Sequence, residues 1–140
     1  KPEISIFEDF YEDYKPGISD DQDKPHTDVP YKTFKAFLYL IDVDESNGAF
    51  AYYKSTQKKI KWNRILGEYL ASLTFKNDQE DLKKNYAFKF FSKYKRTNFC
   101  EKSRTLIFAD TSGYHCRGAF LENKKERIIL YFNYRYLNQF

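Results

Sequence analysis

Methionine is absent and cysteine occurs only twice, at Cys100 and Cys116. Two thiols cannot build a disulfide framework, which excludes the small secreted scaffolds that depend on one. The expected compartment is therefore reducing, and the expected location cytoplasmic. No apolar run approaches the length of a membrane span, and no signal peptide opens the chain. No glycine-rich loop of the kind that cradles phosphate is present, no repeat is visible and no segment is of low complexity. Charge of one sign is not in excess either: 24 Lys and Arg stand against 20 Asp and Glu, and a net charge of +4 does not argue for a nucleic-acid partner. Histidine is as scarce as cysteine, with His26 and His115 alone.

What the chain has in abundance is aromatic residues. Fourteen Phe, 13 Tyr and one Trp make up 20% of the sequence, and Phe and Tyr favour strands. A length of 140 residues suits one domain, taken as 1–140, with a single core. The chain opens without Met, and the expectation is that it is a piece of a longer protein, truncated at the N-terminus. Its charge is uneven. Residues 1–25 are acidic, whereas 54–102 are basic, which suits either an anionic substrate nearby or a lysine-solvated surface.

Ile4 to Phe7 is a short apolar-alternating piece, Pro16-Gly17 is a turn signal, and 19–25 read as a loop. YKTFKAFLYLIDV, residues 31–43, has the pattern of a strand buried on both faces. Asn47-Gly48 is a tight-turn dipeptide and AFAYYK, 49–54, a further strand, so the two segments predict a hairpin. Ile60, Ile65, Leu66, Tyr69, Leu70 and Leu73 fall at helical spacing and predict an amphipathic helix outside the barrel. Residues 77–97 are basic with interleaved aromatics, compatible with a helix or with irregular structure. Their Lys and aromatic stretch at 83–95 suits a solvated helix or lid better than a single-strand nucleic-acid groove. RTLIFAD (104–110) and RIILYFNYRY (127–136) predict strands, and TSGYHCRG between them a turn that carries a histidine. Strands bracketing a helical insert around 60–75, with both histidines at strand ends, predict a mainly β, jelly-roll or cupin-like double-stranded β-helix.

Three features carry chemistry. In His26-Thr27-Asp28, residues i and i+2 of an extended segment face the same way, so an imidazole and a carboxylate can converge on one ion. Taken alone, the triplet reads more readily as a surface histidine beside a solvated aspartate. His115 supplies the second imidazole, and two histidines with one carboxylate make the facial triad of non-haem iron(II) oxygenases, which leaves coordination positions open. Arg127 opens the last strong strand, where a guanidinium could grip a carboxylate with two parallel hydrogen bonds. Arg117, nearer His115, is its rival. Alternation puts Arg127, Ile129, Tyr131 and Asn133 on one face, with Ile128, Leu130 and Phe132 on the other. Cys116 would face away from His115 and has no base beside it, so packing is its expected role.

With these features in place, KAFLYLIDVDESNGAFAYYKSTQK (35–58), TLIFADTSGYHCRG (105–118) and RIILYFNY (127–134) resemble, in order and spacing, the sequence blocks of the phytanoyl-CoA dioxygenase family. The resemblance covers roughly 24–58 and 104–136. Lys54-Ser55-Thr56-Gln57-Lys58 lacks the Gly and His usual at that point of the family pattern. The resemblance implies an iron(II)- and 2-oxoglutarate-dependent, O2-consuming dioxygenase that hydroxylates a small organic substrate. It implies that His26, Asp28 and His115 hold the metal and that Arg127 binds the 5-carboxylate of 2-oxoglutarate. It also implies that Lys35 and Phe37 line the cosubstrate pocket. A halogenase on the same scaffold needs a small residue in place of the carboxylate, and Asp28 argues against it. The remaining alternative is a non-catalytic or incomplete cupin-like binding domain.

Overall fold

The computed structural model describes residues 3–11, 22–28, 32–57, 93–121 and 125–134, together with 62, 66, 69, 70, 72–74 and 88. Seven strands run through these residues: β1 (Glu3–Tyr11), β2 (Phe34–Tyr39), β3 (Phe50–Tyr53), β4 (Arg96–Phe99), β5 (Leu106–Asp110), β6 (His115–Arg117) and β7 (Lys125–Tyr134). They form two antiparallel sheets, one in the order β1-β7-β2-β5 and the other β4-β3-β6. The chain is thus mainly β, in the jelly-roll arrangement that the strand pattern predicted.

The two sheets meet through aromatic side chains. Phe37, Tyr39, Ile107 and Ile129 of the larger sheet pack with Phe50 and Tyr52 of the smaller one in a single buried cluster, and the rings of Phe37 and Phe50 are 4.6 Å apart. Tyr39 ties the sheets together. Its hydroxyl accepts from the Phe50 N–H at 2.9 Å and donates to the Phe99 carbonyl at 3.0 Å, and burial raises that hydroxyl's pKa to about 12. Tyr39→Phe would leave a buried N–H without its acceptor at little change in shape. The expected loss is roughly 1–3 kcal/mol, read as a lower urea midpoint at an unchanged slope.

Several local expectations need correction. The strand expected over 31–43 ends at Tyr39, and residues 40–41 bend away. It does not pair with 49–54 as a hairpin, because β2 and β3 lie in different sheets. The Asn47-Gly48 turn instead carries the chain across from one sheet to the other. Asn47 is held there by its own amide, which donates to the carbonyls of Asp42 and of the distant Glu126, while its Oδ1 accepts from the Asp44 N–H. Gly48 adopts φ +79°, and a side chain there would run into the Phe120 ring. On the outer side of β2 Ala36 is buried and Phe34 and Leu38 are half-buried, so burial on that face is partial. The outward row of the larger sheet is apolar but open, with Ile4, Ile6, Leu106 and Phe108 exposed. Arg104 lies in a turn at φ 68° instead of in β5, and His115 begins strand β6, not a turn. β4 lies partly inside 77–97, the stretch whose sequence is compatible with a helix or with irregular structure.

The predicted helix leaves its mark in the described residues. Trp62, Leu66, Tyr69, Leu70 and 72–74 are helical and belong to neither sheet. The Ser72 and Thr74 hydroxyls bond back to the carbonyls of Tyr69 and Leu70. Ile60 and Ile65 lie outside the described residues, as do Pro16-Gly17 and most of 77–92. Phe88 packs against Tyr53 and Tyr114 on the outer side of the smaller sheet. Cys116 joins that cluster, buried beside Ala51. It packs, as expected of a thiol facing away from His115. No described helix is long and apolar enough to cross a membrane.

Candidate metal centre

The site is assembled by sheet geometry. Residues 22–28 run alongside β6 as an added edge: Arg117 N–H donates to the Gln22 carbonyl at 2.8 Å, and Asp28 N–H to Thr111 at 3.3 Å. His26 and His115 exchange both backbone hydrogen bonds, each 2.9 Å, so they are directly opposed across the ladder. Opposed residues share a face, and their imidazoles stand 4.6 Å apart. Asp28, two residues along the same extended segment, shares that face too. One donor atom from each of His26, Asp28 and His115 lies within 4.8 Å of the others.

Backbone carbonyls orient both rings. The Nδ1 of His26 is 2.8 Å from the Lys24 carbonyl, and that of His115 is 3.0 Å from the Gly113 carbonyl. A carbonyl oxygen can only accept, so each Nδ1 carries its proton and each Nε2 keeps its lone pair for the site. Gly113 must be small for this. A Cβ there would collide with the Tyr52 hydroxyl, which is fixed by its own 2.7 Å bond to the Asp110 carbonyl.

Burial pushes the His115 pKa down to about 4, against an opposing pull from Asp28. The ring is therefore neutral at neutral pH. For Asp28, burial acts to raise the carboxyl, but positive charge at His115 and at Lys35 acts to lower it, and the net result is below the ordinary value. Because His115 is uncharged at neutral pH, Lys35 is the cation that counts there. Its Nζ is 2.7 Å from Asp28 Oδ2. That oxygen is buried, and hydrogen bonds from Lys35 and Thr111 act together with the lysine's charge to hold the carboxyl down.

The triad opens into a cavity of about 630 Å³ that also takes in Lys35, Phe37, Arg117, Arg127 and Tyr131. Lys35 and Phe37 thus both line it, as does Arg127, which faces inward with Ile129 as strand alternation predicts. Arg127 is buried and donates through Nη1 to the Gly48 carbonyl at 2.8 Å. Arg117 is committed differently. Its Nε and Nη2 reach Asp23 Oδ1 at 3.2 and 3.0 Å, and its guanidinium lies 5.3 Å from the Phe120 ring centre. Sequence reasoning missed this Asp23–Arg117 clamp, and it missed Lys35 as the partner of Asp28. Neither pair has a spacing signature. In hindsight, the excess of acids just before the triplet is the only trace of the first.

A donor set of two imidazoles and one carboxylate with a buried oxygen fits a divalent first-row metal such as iron(II).

No protein-family model matches the chain. No curated protein matches it either. Solved structures do. A non-heme alpha ketoglutarate dependent epimerase, SnoN, from nogalamycin biosynthesis superposes with a TM-score of 0.58 at 13% identity, over 96% of this chain and 47% of that one. SnoK, a non-heme alpha ketoglutarate dependent carbocyclase from nogalamycin biosynthesis, gives 0.59 at 14% identity, over 94% and 47%. Apo HygX from Streptomyces hygroscopicus gives 0.50 at 13% identity, over 94% and 56%. The chain therefore spans about half the length of these proteins, and at such identities the likeness is one of fold.

Proposed function

We propose that the chain is the catalytic core of an iron(II)- and 2-oxoglutarate-dependent dioxygenase that hydroxylates a small organic substrate. The observation that carries this reading is the convergence of His26, Asp28 and His115 at the mouth of a cavity lined by a buried arginine. Two of the structures of like fold, an epimerase and a carbocyclase, are 2-oxoglutarate-dependent enzymes, which supports the cosubstrate. Their differing outcomes mean that hydroxylation is our choice for the second half of the reaction.

His26, Asp28 and His115 would hold the iron. The chemistry such an ion supplies when bound is the oxidative decarboxylation of a 2-oxo acid by dioxygen, coupled to oxidation of a second substrate. The chain's own residues do the rest. The two Nδ1–H bonds to backbone carbonyls hold the imidazoles in the tautomer that can ligate. Phe37, Phe50 and Ile129 give the cavity apolar walls that restrict water. Arg127 presents a fixed fork to the far carboxylate of the cosubstrate, its stance set by the Gly48 carbonyl. Arg117, tied to Asp23, instead anchors residues 22–28 against β6.

Succinate formation with iron(II), ascorbate and rising 2-oxoglutarate tests this assignment. Arg127→Lys keeps the charge but loses the fork, and should raise the half-saturating 2-oxoglutarate concentration about tenfold or more. Arg117→Lys should instead weaken metal retention and leave the cosubstrate requirement near that of the wild type. If the two variants exchange these behaviours, Arg117 is the cosubstrate residue. A wild type that never consumes 2-oxoglutarate would favour a binding domain over an enzyme.

A further inference from the structure

Lys35 stands where the metal centre reading, on which this inference rests, leaves no room for it to stay. Its ammonium touches Asp28 Oδ2 at 2.7 Å, and its side chain is 12% exposed. The same oxygen lies 3.7 Å from His115 Nε2. A divalent cation bound by Asp28 would meet this ammonium at close range in a largely buried site, where like charges repel strongly. A metal held through Oδ2 would take the place the ammonium now occupies, so the two cations compete for that oxygen.

Lys35 has an alternative position close by. It projects from the inner face of β2, and its Nζ already lies 5.2 Å from the centre of the Tyr131 ring, which faces the same cavity. From there an ammonium adds to the positive charge that Arg127 brings to the cavity.

We propose that Lys35 is a displaceable counter-ion: it neutralises Asp28 in the metal-free protein, is driven off by the arriving metal, and then serves as a second cation for the anionic cosubstrate. The same side chain therefore opposes metal binding and favours 2-oxo acid binding. It is a positioning residue for the first and a direct contact for the second. A merely structural lysine would, when removed, weaken both.

Titration of the metal-free protein with cobalt(II) alone, followed by titration of the cobalt-loaded protein with 2-oxoglutarate, separates these possibilities. Lys35→Met keeps the apolar stem and removes the charge. It should bind cobalt(II) about tenfold more tightly than wild type, gain more thermal stability from cobalt than wild type does, and bind 2-oxoglutarate several-fold more weakly. Lys35→Arg should return both affinities toward wild type. If Lys35→Met does not fold, Lys35→Gln carries the same expectations. Cobalt binding that is weakened or unchanged in the uncharged variant overturns the counter-ion role. Tighter cobalt with unchanged 2-oxoglutarate binding overturns the cosubstrate role. If wild type itself shows no saturable cobalt binding, the metal centre reading falls first, and that outcome is distinct from either of the others.

Discussion

Asp28→Ala is expected to abolish saturable iron(II) or cobalt(II) binding and to take 2-oxoglutarate-dependent succinate formation to background. Three donors converge here, and Asp28 is the only acid among the described residues that line the cavity. Its removal therefore deletes a third of the ligand set and the negative charge that the described lining supplies. Loss of an outer partner of a metal ligand costs roughly 10–100-fold in affinity, and loss of the ligand itself should exceed that. The substitution also leaves Lys35 with no counter-charge from Asp28, so repulsion of the incoming cation adds to the missing bond. Asp28→Asn separates these effects, since it keeps the side-chain volume while removing the charge. Cobalt(II) absorption and succinate release give the two readouts, and circular dichroism checks that the sheets survive. If Asp28→Ala bound cobalt as the wild type does, the ion would have to be held elsewhere.

The second large effect is acid sensitivity of the metal-free protein. The His115 pKa falls from an unfolded value of 6.5 to about 4 in the fold, chiefly through burial. Below pH 6.5 the unfolded chain takes up a proton that the folded chain refuses. Stability is therefore fully present above 6.5, declines as pH falls, and the whole contribution is gone near pH 4. At about 1.36 kcal/mol per pKa unit, the loss across that window is roughly 3 kcal/mol. Asp28 contributes in a different range. Its folded pKa is below 3.8, so its stabilisation is present above 3.8 and disappears only in stronger acid. Urea unfolding of metal-free protein at pH 7.0 and pH 4.5 measures the effect. His115→Gln should flatten the slope between those pH values even if it lowers stability at both. An equal slope in the variant would assign the acid sensitivity to some other group.

What the sequence by itself determined is whatever a short period dictates. Alternation with period two assigned Arg127 and Ile129 to one face of β7 and Leu130 to the other. It put His26 and Asp28 on one side of their segment and turned Cys116 away from His115. Helical spacing over 60–73 agrees with the helical residues described there, Trp62, Leu66, Tyr69, Leu70 and 72–73, and aromatic-rich strands around them predicted the jelly roll. These are local properties: they follow from the geometry of a few consecutive peptide units, whatever the rest of the chain does. Only the tertiary structure decided which strands are neighbours. Asn47-Gly48 is a hairpin signal on local grounds, yet Asn47 binds the carbonyl of Glu126, and that long-range bond sends the chain into the other sheet. β6 could not be foreseen as a strand because three residues carry too little pattern; it exists because β3 and residues 22–28 flank it. The Lys35–Asp28 and Arg117–Asp23 pairs likewise depend on which segments are brought side by side. Local preference sets the face on which a side chain stands. Its partner is set by burial and hydrogen-bond satisfaction summed over the whole molecule, and no short window of sequence contains that sum.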